Sequence, residues 1–386
     1  MISAASAAAV EDAASLATAY VHIPFCARVC PYCDFTVVEG RDDVTDRYVS
    51  ALRQEIDSTP PWRPLDAVFV GGGTPSRIGA GRLGSILDAI RRTHGIRGGA
   101  EVTLEANPED IDDESAAALV DVGFSRISLG VQSFDDRVLA DLGRMHDSLR
   151  ATESVAAALS AGFDSVSVDL IFGSPTETTA SWDRTLRSAI SLAPQHISTY
   201  SLTVEPGTVL WKQVRGGAPE PDGDIQADRW EAATEMLESA GYERYEVSNF
   251  SRSGHHCRYN AAVWGHAEYL AFGVGAHGYR NGVRTVNVRR LDTYVERVET
   301  GIGPTQASDP VGGWAREQER LFVGLRRTAG ALLGDGGAAL IASDAGRRLV
   351  EHGVIDVVDG RLVIVRPLLT DEVLRAVLAL DPRGPG

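Results

Sequence analysis

Between Tyr20 and Val204 the chain alternates six times between a short run rich in Val, Ile and Leu and a longer run of helical period. The strand candidates are YVHIPF (20–25), DAVFVG (66–71), EVTLEA (101–106), RISLGV (126–131), SVSVDLIFG (165–173) and HISTYSLTV (196–204). Their composition fits strands buried on both faces. Stretches between them, such as VTDRYVSALRQEI, ESAAALVDVG and SWDRTLRSAISLA, read as helices, with Thr178 or Ser181 placed to cap the last. Such an α/β chain forms a parallel sheet with right-handed crossovers, either open and doubly wound or a partial barrel. Both arrangements put the ligand site at the carboxyl ends of the strands. Gly71-Gly72-Gly73-Thr74, Glu105, Gln132 and Asp169 all fall at or near those ends.

Three of the chain's four cysteines, Cys26, Cys30 and Cys33, crowd into one loop directly after the first strand candidate. A loop that short turns three sulfurs toward one compact object. A [4Fe–4S] cube held by three thiolates keeps one iron free for an amine and a carboxylate. Zinc would need a fourth ligand, with His22, Asp34 or distant Cys257 at hand. A redox pair at Cys30 and Cys33 would suit a thioredoxin-like fold, but that fold is far smaller than six βα units and leaves Cys26 without a role. Interleaved Arg28 and Asp34 fit poorly with inert, buried thiols.

The net charge of −16 argues against broad affinity for nucleic acid or anionic membrane, because the chain's own field repels phosphates. No stretch approaches the ~20 apolar residues of a membrane span. Residues 1–18 lack the positive start of a signal peptide and are expected to be a disordered tail, in a cytoplasmic protein. The breaker-rich GGAPEPDGD (216–224) marks an expected boundary, closing a core over 19–224. An extension over 225–304 follows. Over 305–386, helical runs plus a hairpin with Asp359-Gly360 at its turn suggest a winged-helix-like domain.

CxxxCxYC followed by Asp34-Phe35 resembles the radical S-adenosylmethionine (SAM) superfamily, in the branch that holds HemN and HemW. The resemblance also runs through VFVGGGTPS (68–76), LEANP (104–108), ISLGVQSF (127–134), LGRMH (142–146) and VDLIFGSPTET (168–178). It implies a partial (β/α)6 barrel. It also implies a [4Fe–4S] cluster on Cys26, Cys30 and Cys33, whose open iron holds SAM for cleavage to a 5′-deoxyadenosyl radical by an electron from a donor protein. Gly72 and Gly73 would let the backbone approach the cofactor, with Thr74 beside them. Tyr20 and Tyr32 would be ring contacts near the cluster. Glu105, Gln132, Arg144 and Asp169 match SAM-holding positions, divided in HemN between two SAM molecules.

CPYCDF, YEVSNF (245–250), YL.FGVGAHGY (269–279), Asn287 and Tyr294 resemble the HemW group, which binds haem and passes it to acceptor haemoproteins. A homodimer is a further expectation. The haem motif of that group, Cys-Arg-His-Asn-x-x-Tyr-Trp, reads here Cys257-Arg258-Tyr259-Asn260-Ala261-Ala262-Val263-Trp264. Tyr259 stands where the motif has its histidine. Haem ligation would fall to Tyr259, or to His255, His256, Cys257 or His266, or would be lost. His277 reads as part of a packed turn. The alternative function is a HemN-like enzyme, decarboxylating coproporphyrinogen III or methylating another substrate. The short leader and the lack of a fourth cysteine after Cys33 speak against the oxidase.

Overall fold

A computed structural model describes residues 13–381. Six strands, β1 (Thr18–Ile23), β2 (Leu65–Gly72), β3 (Ile96–Ala106), β4 (Arg126–Gln132), β5 (Ser165–Phe172) and β6 (His196–Ser201), lie side by side in chain order. Every neighbouring pair among them is parallel. Helices α1 (Thr45–Ser58), α2 (Ala80–Thr93), α3 (Asp113–Asp121), α4 (Asp136–Asp141), α5 (Ser148–Ser160) and α6 (Thr179–Leu192) make the crossovers. The α6 start is a capping box in which Thr178 and Ser181 each bond the other's backbone. This is the partial (β/α)6 barrel.

The strands are not apolar on both faces. Val21, Val68, Leu104, Leu129 and Val168 point outward into a buried core shared with Leu52, Ile86 and Leu186 of the helices. The alternate positions carry Tyr20 and His22, Glu105, Arg126 and Ser128, Ser167 and Asp169, and His196. Side chains of period two thus place a polar lining inside the barrel. The Val/Ile/Leu content of the runs conceals this, because only the outward half of each strand meets helices.

The chain also continues beyond the expected core boundary. After α7 (Val209–Arg215), helix α8 (Gly223–Ser239) returns Ala233 and Leu237 to the same core. Strands β7 (Glu243–Arg244) and β8 (Asn249–Ser251) then extend the sheet antiparallel beyond β6. Helix α9 (Arg258–Trp264) leads to β9 (Tyr269–Phe272), which pairs parallel with β1 on its free side. The antiparallel strands β10 (His277–Arg280), β11 (Val283–Asn287) and β12 (Thr305–Pro310) complete twelve strands, with α10 (Leu291–Glu299) packed on α1. One hydrophobic core therefore runs from Ala17 to Val298. Residues 216–222 of the Gly- and Pro-rich stretch are a loop within it, and Gly223 and Asp224 open α8.

A second core, from Leu321 to Val377, joins α11 (Gly313–Gly324), β13 (Ala331–Leu332), α12 (Gly334–Ala342), α13 (Asp344–Glu351), β14 (Ile355–Val358), β15 (Arg361–Ile364) and α14 (Thr370–Leu378). The β14–β15 hairpin turns on Asp359 and Gly360, both at positive φ (50° and 72°), as the right-handed strand twist requires. At the other end, residues 1–12 of the expected tail lie outside the described residues. Its remainder is not loose: Ala17 and Thr18 are fully buried, and Asp66 bonds the Ala17 amide and carbonyl at 2.8 and 2.7 Å. Among the described residues no helix is long and apolar enough to cross a membrane.

Glu55 of α1 joins the halves. Its buried carboxylate accepts hydrogen bonds from Gly273 N (2.8 Å), Asn287 Nδ2 (2.8 Å) and the Tyr294 hydroxyl (2.5 Å). Burial pushes this carboxyl up to about 7, although those three bonds lower it. The folded protein therefore keeps a proton that an ordinary glutamate, near 4.5, has released. That contribution is full below about 4.5 and is lost as pH rises through about 7. Urea unfolding between about pH 5 and 7 should show stability falling less steeply in Glu55→Gln than in the wild type; identical slopes would refute the assignment. Glu55→Ala, which orphans three donors, should cost on the order of 3 kcal/mol.

Candidate functional site

The cysteine loop leaves β1 at the carboxyl edge of the barrel and is tied down on both sides. Gly73 N bonds Ile23 O at 2.8 Å and Thr74 N bonds Phe25 O at 2.9 Å, so the β1–β2 pairing carries on past the strands. On the return, Val38 N bonds Pro24 O at 2.8 Å. His22 Nε2 lies 2.7 Å from Thr36 O, and its Nδ1 lies 3.0 Å from the Tyr20 hydroxyl. A carbonyl only accepts, so Nε2 carries the proton and Nδ1 accepts from Tyr20. Burial lowers His22 to about 4, which keeps the ring neutral for this arrangement. Gly72, at φ +117°, makes the room: a Cβ there would lie 2.6 Å from the imidazole.

Cys26, Cys30 and Cys33 are free, half-buried thiols bordering a cavity of about 410 Å³. Burial raises the Cys26 thiol, while Thr74 and Arg144 pull it back, and burial pushes Cys33 up to about 11. Among the described residues no three His, Cys, Asp or Glu side chains converge on a single ion position. Of the other side chains expected here, Tyr32, Gly72, Gly73, Thr74, Glu105, Gln132, Arg144 and Asp169 all line the same cavity. Tyr20 does not: it lies below, against Phe69 and Tyr259. Tyr32 packs with Leu142, Ile171 and Leu202 under the loop.

Gln132 reaches the cavity through a β-bulge at the end of β4, where its φ is +66°. Glu105 Oε2 accepts from Gly72 N at 2.9 Å, yet burial still pushes its carboxyl up to about 7. Asp169 accepts from Ser128 and Ser167, and burial raises it as well. Arg144 donates to Cys30 Sγ (3.4 Å), Asn107 Oδ1 (2.6 Å) and Gly130 O (2.9 Å). Sequence reasoning passed over Asn107, Ser128, Gly130 and the anchoring role of His22. All four sit inside or beside the quoted motifs. The amide, the hydroxyl and the glycine carry no chemical signal of their own, and His22 reads from the sequence only as a spare zinc ligand.

The expected haem residues gather elsewhere. Residues 255–264 close the opposite, amino end of the barrel, where Arg258 N bonds Glu101 Oε1 at 2.9 Å. Glu101 precedes Glu105 by four residues on β3, about 13 Å along the strand. Cys257 is fully buried with its thiol toward Glu101 (3.5 Å), so it is no partner for the other three cysteines. His256 stacks on Tyr245 (4.3 Å), and Tyr259 packs on Phe69 and Tyr20. His266 lies against Tyr279, near Glu319. The His255 imidazole makes no hydrogen bond, ion pair or ring contact among the described residues. His277 is exposed at the start of β10, which corrects the packed-turn reading.

Alkylation of the native apoprotein, read by mass spectrometry, should modify Cys26, Cys30 and Cys33 and spare Cys257 until the chain is unfolded. Early labelling of Cys257 would contradict the sealed barrel floor.

Residues 20–189 match the radical SAM superfamily. The chain is 37% identical over 370 residues to the heme chaperone HemW of Mycobacterium tuberculosis, covering 93% of this chain and 94% of that one. It is 36% identical over 318 residues to the heme chaperone HemW of Bacillus subtilis, with 81% and 84% covered. Among solved structures, coproporphyrinogen III oxidase (HemN) from Escherichia coli, a radical SAM enzyme, superposes with a TM-score of 0.81. That match covers 96% of this chain and 92% of the other at 22% identity, which is a likeness of fold. On the strength of its identity with curated relatives over most of both chains, this chain belongs to the heme chaperone HemW family of the radical SAM superfamily.

Proposed function

We propose that this protein is a haem chaperone built on a radical SAM barrel, with a [4Fe–4S] cluster and SAM at the carboxyl rim and haem carried at the amino end. The observation that carries the cofactor half is the convergence of three free thiols, a glycine cradle and buried carboxyls on one cavity. The donor set suits the cluster. Three cysteines border one cavity, Thr74 and Arg144 donate toward the sulfurs of two of them, and a Cβ on Gly73 would lie 2.9 Å from Cys26 Sγ. When bound, the cluster supplies the electron that cleaves the SAM sulfonium. The chain's own part is to hold and orient. Cys26, Cys30 and Cys33 would hold the cluster. Glu105, Gln132 and Asp169 hold the polar groups of SAM, the raised carboxyls of Glu105 and Asp169 accepting or donating according to their proton.

Haem carriage is supported by the name shared by relatives that match nearly the whole chain. Transfer to acceptor haemoproteins, an electron donor to the cluster and a cytoplasmic setting follow from that reading. For the axial ligand, Cys257 and His256 are engaged and Tyr259 packs against the rings of Tyr20 and Phe69. Burial raises the Tyr259 phenol well above its ordinary value, which opposes a phenolate ligand. His266 lies against Tyr279 and near Glu319, so His255, half-exposed on the floor segment, is the imidazole left for haem.

Anaerobic reconstitution should give cluster absorbance in the wild type and in Cys257→Ala. Cys26→Ala, Cys30→Ala and Cys33→Ala should each abolish it; a full cluster in any of the three removes that residue from the ligand set. Haem titration of the loaded protein should show stoichiometric binding whose ligand-field bands change in His255→Ala and persist in Tyr259→Phe. The reverse pattern moves the ligand to Tyr259. No haem binding at all ends the carrier reading and turns the search to porphyrinogen or methyl-acceptor substrates.

A further inference from the structure

Two of the cysteine sulfurs are joined by a hydrogen-bonded chain whose directions are forced. Arg144 can only donate, so the atom of Asn107 that faces its Nη2 at 2.6 Å is the carbonyl Oδ1. The Asn107 amide nitrogen must then face Thr74 Oγ1, 3.1 Å away, and donate to it. With one lone pair taken, the Thr74 hydroxyl hydrogen is free to point at Cys26 Sγ, 3.7 Å away. At the other end the Arg144 Nη1 hydrogen points at Cys30 Sγ, 3.4 Å away. Gly130 completes the brace. Its carbonyl takes a second bond from Nη2 at 2.9 Å, and a Cβ there would lie 2.9 Å from the Gln132 amide and 3.5 Å from Nη2.

We infer that Asn107 is a positioning residue for the iron–sulfur cluster, aligning Thr74 and Arg144 as donors to the Cys26 and Cys30 sulfurs and so setting the cluster's reduction potential. The inference rests on the cluster reading above. It also gives Arg144 work beside the SAM-holding role that the family resemblance implies, since both Nη2 hydrogens and one on Nη1 go to the brace. Hydrogen bonds to a ligating thiolate draw charge off the sulfur and favour the reduced cluster, which carries more negative charge. Removing the brace should therefore make the cluster harder to reduce. Asn107 touches neither sulfur, so it acts only through its two neighbours.

The experiment is a dye-mediated redox titration, followed by electron paramagnetic resonance, on anaerobically reconstituted wild type, Asn107→Ala, Thr74→Val and the double variant, each with its iron counted. The expected result is wild-type iron in all four and a more negative midpoint in each variant. The double variant should fall short of the summed single shifts, because Asn107 acts partly through Thr74. A fully loaded Asn107→Ala with the wild-type midpoint overturns the inference and leaves the cluster assignment intact. A wild type that takes up no iron sinks the cluster reading and this one with it. Should Asn107→Ala fail to hold iron, Thr74→Val decides, since valine keeps the shape of threonine and removes only the donor: an unshifted midpoint there also overturns the proposal.

Discussion

A single neutral imidazole holds the site together. His22 reaches from β1 across the barrel rim to the Thr36 carbonyl, where the cysteine loop returns, while Tyr20 satisfies its other nitrogen. Its own carbonyl is held by the buried Tyr48 hydroxyl at 2.6 Å. Burial keeps the ring uncharged, and a charged ring would lose the acceptor that Tyr20 needs. Tyr48 in turn accepts from Val274 N, next to the Gly273 amide held by Glu55. The residues that make YL.FGVGAHGY, Asn287 and Tyr294 hang together are therefore braces for β1 and α1, and through them for the loop. Gly275 fits the same scheme, since a Cβ there would lie 2.7 Å from Thr36 Oγ1.

The barrel interior is an electrostatic compromise. Outward-facing Val, Ile and Leu make the fold stable, leaving the inward half of every strand for chemistry. Arg126 is 2% exposed, and burial opposes its charge, but Cys257, Glu101, Tyr245 and Asp169 around it raise its pKa. From the floor, Tyr245, His196 and Ser167 run in hydrogen bonds of 2.8, 2.8 and 3.1 Å to Asp169 at the cavity. His196 is held neutral by burial and by Arg126, so each member can donate toward the carboxylate. Because Cys257 N bonds the Tyr245 hydroxyl at 3.4 Å, the 255–264 segment and the carboxyl rim share one buried polar column. Buried polar groups of this kind persist where they are fully bonded, and they fix the relative placement of what they join.

Much of this was legible in the chain. The six strand candidates fall within a few residues of β1 to β6, because period and flanking breakers are local properties. The cysteine spacing and the glycines after β2 were equally plain, since both are rules about one short loop. What escaped was partnership. Nothing around GGAPEPDGD says that α8 beyond it shares Trp182's core, yet the Trp182 indole bonds Arg229 O at 2.9 Å. Tyr20 read as a cluster contact because it stands six residues before Cys26, but strand pleat turns it into the layer beneath. Asn107 went unnoticed because an amide inside LEANP shows its worth only when its neighbours are placed.

By itself, the sequence determined the class of fold, the loop that carries the sulfurs and the rim where they sit. Each of these depends on periodicity, spacing or a glycine at a forced turn. Only the tertiary structure decided that residues 225–304 close both edges of the same sheet, that Cys257 lies at the far end of the barrel from the other three cysteines, and that Asn107 bonds both Thr74 and Arg144 beside those cysteines. These depend on which side chains meet across tens or hundreds of residues. Contacts at that range arise from packing the whole core, and no local pattern encodes them.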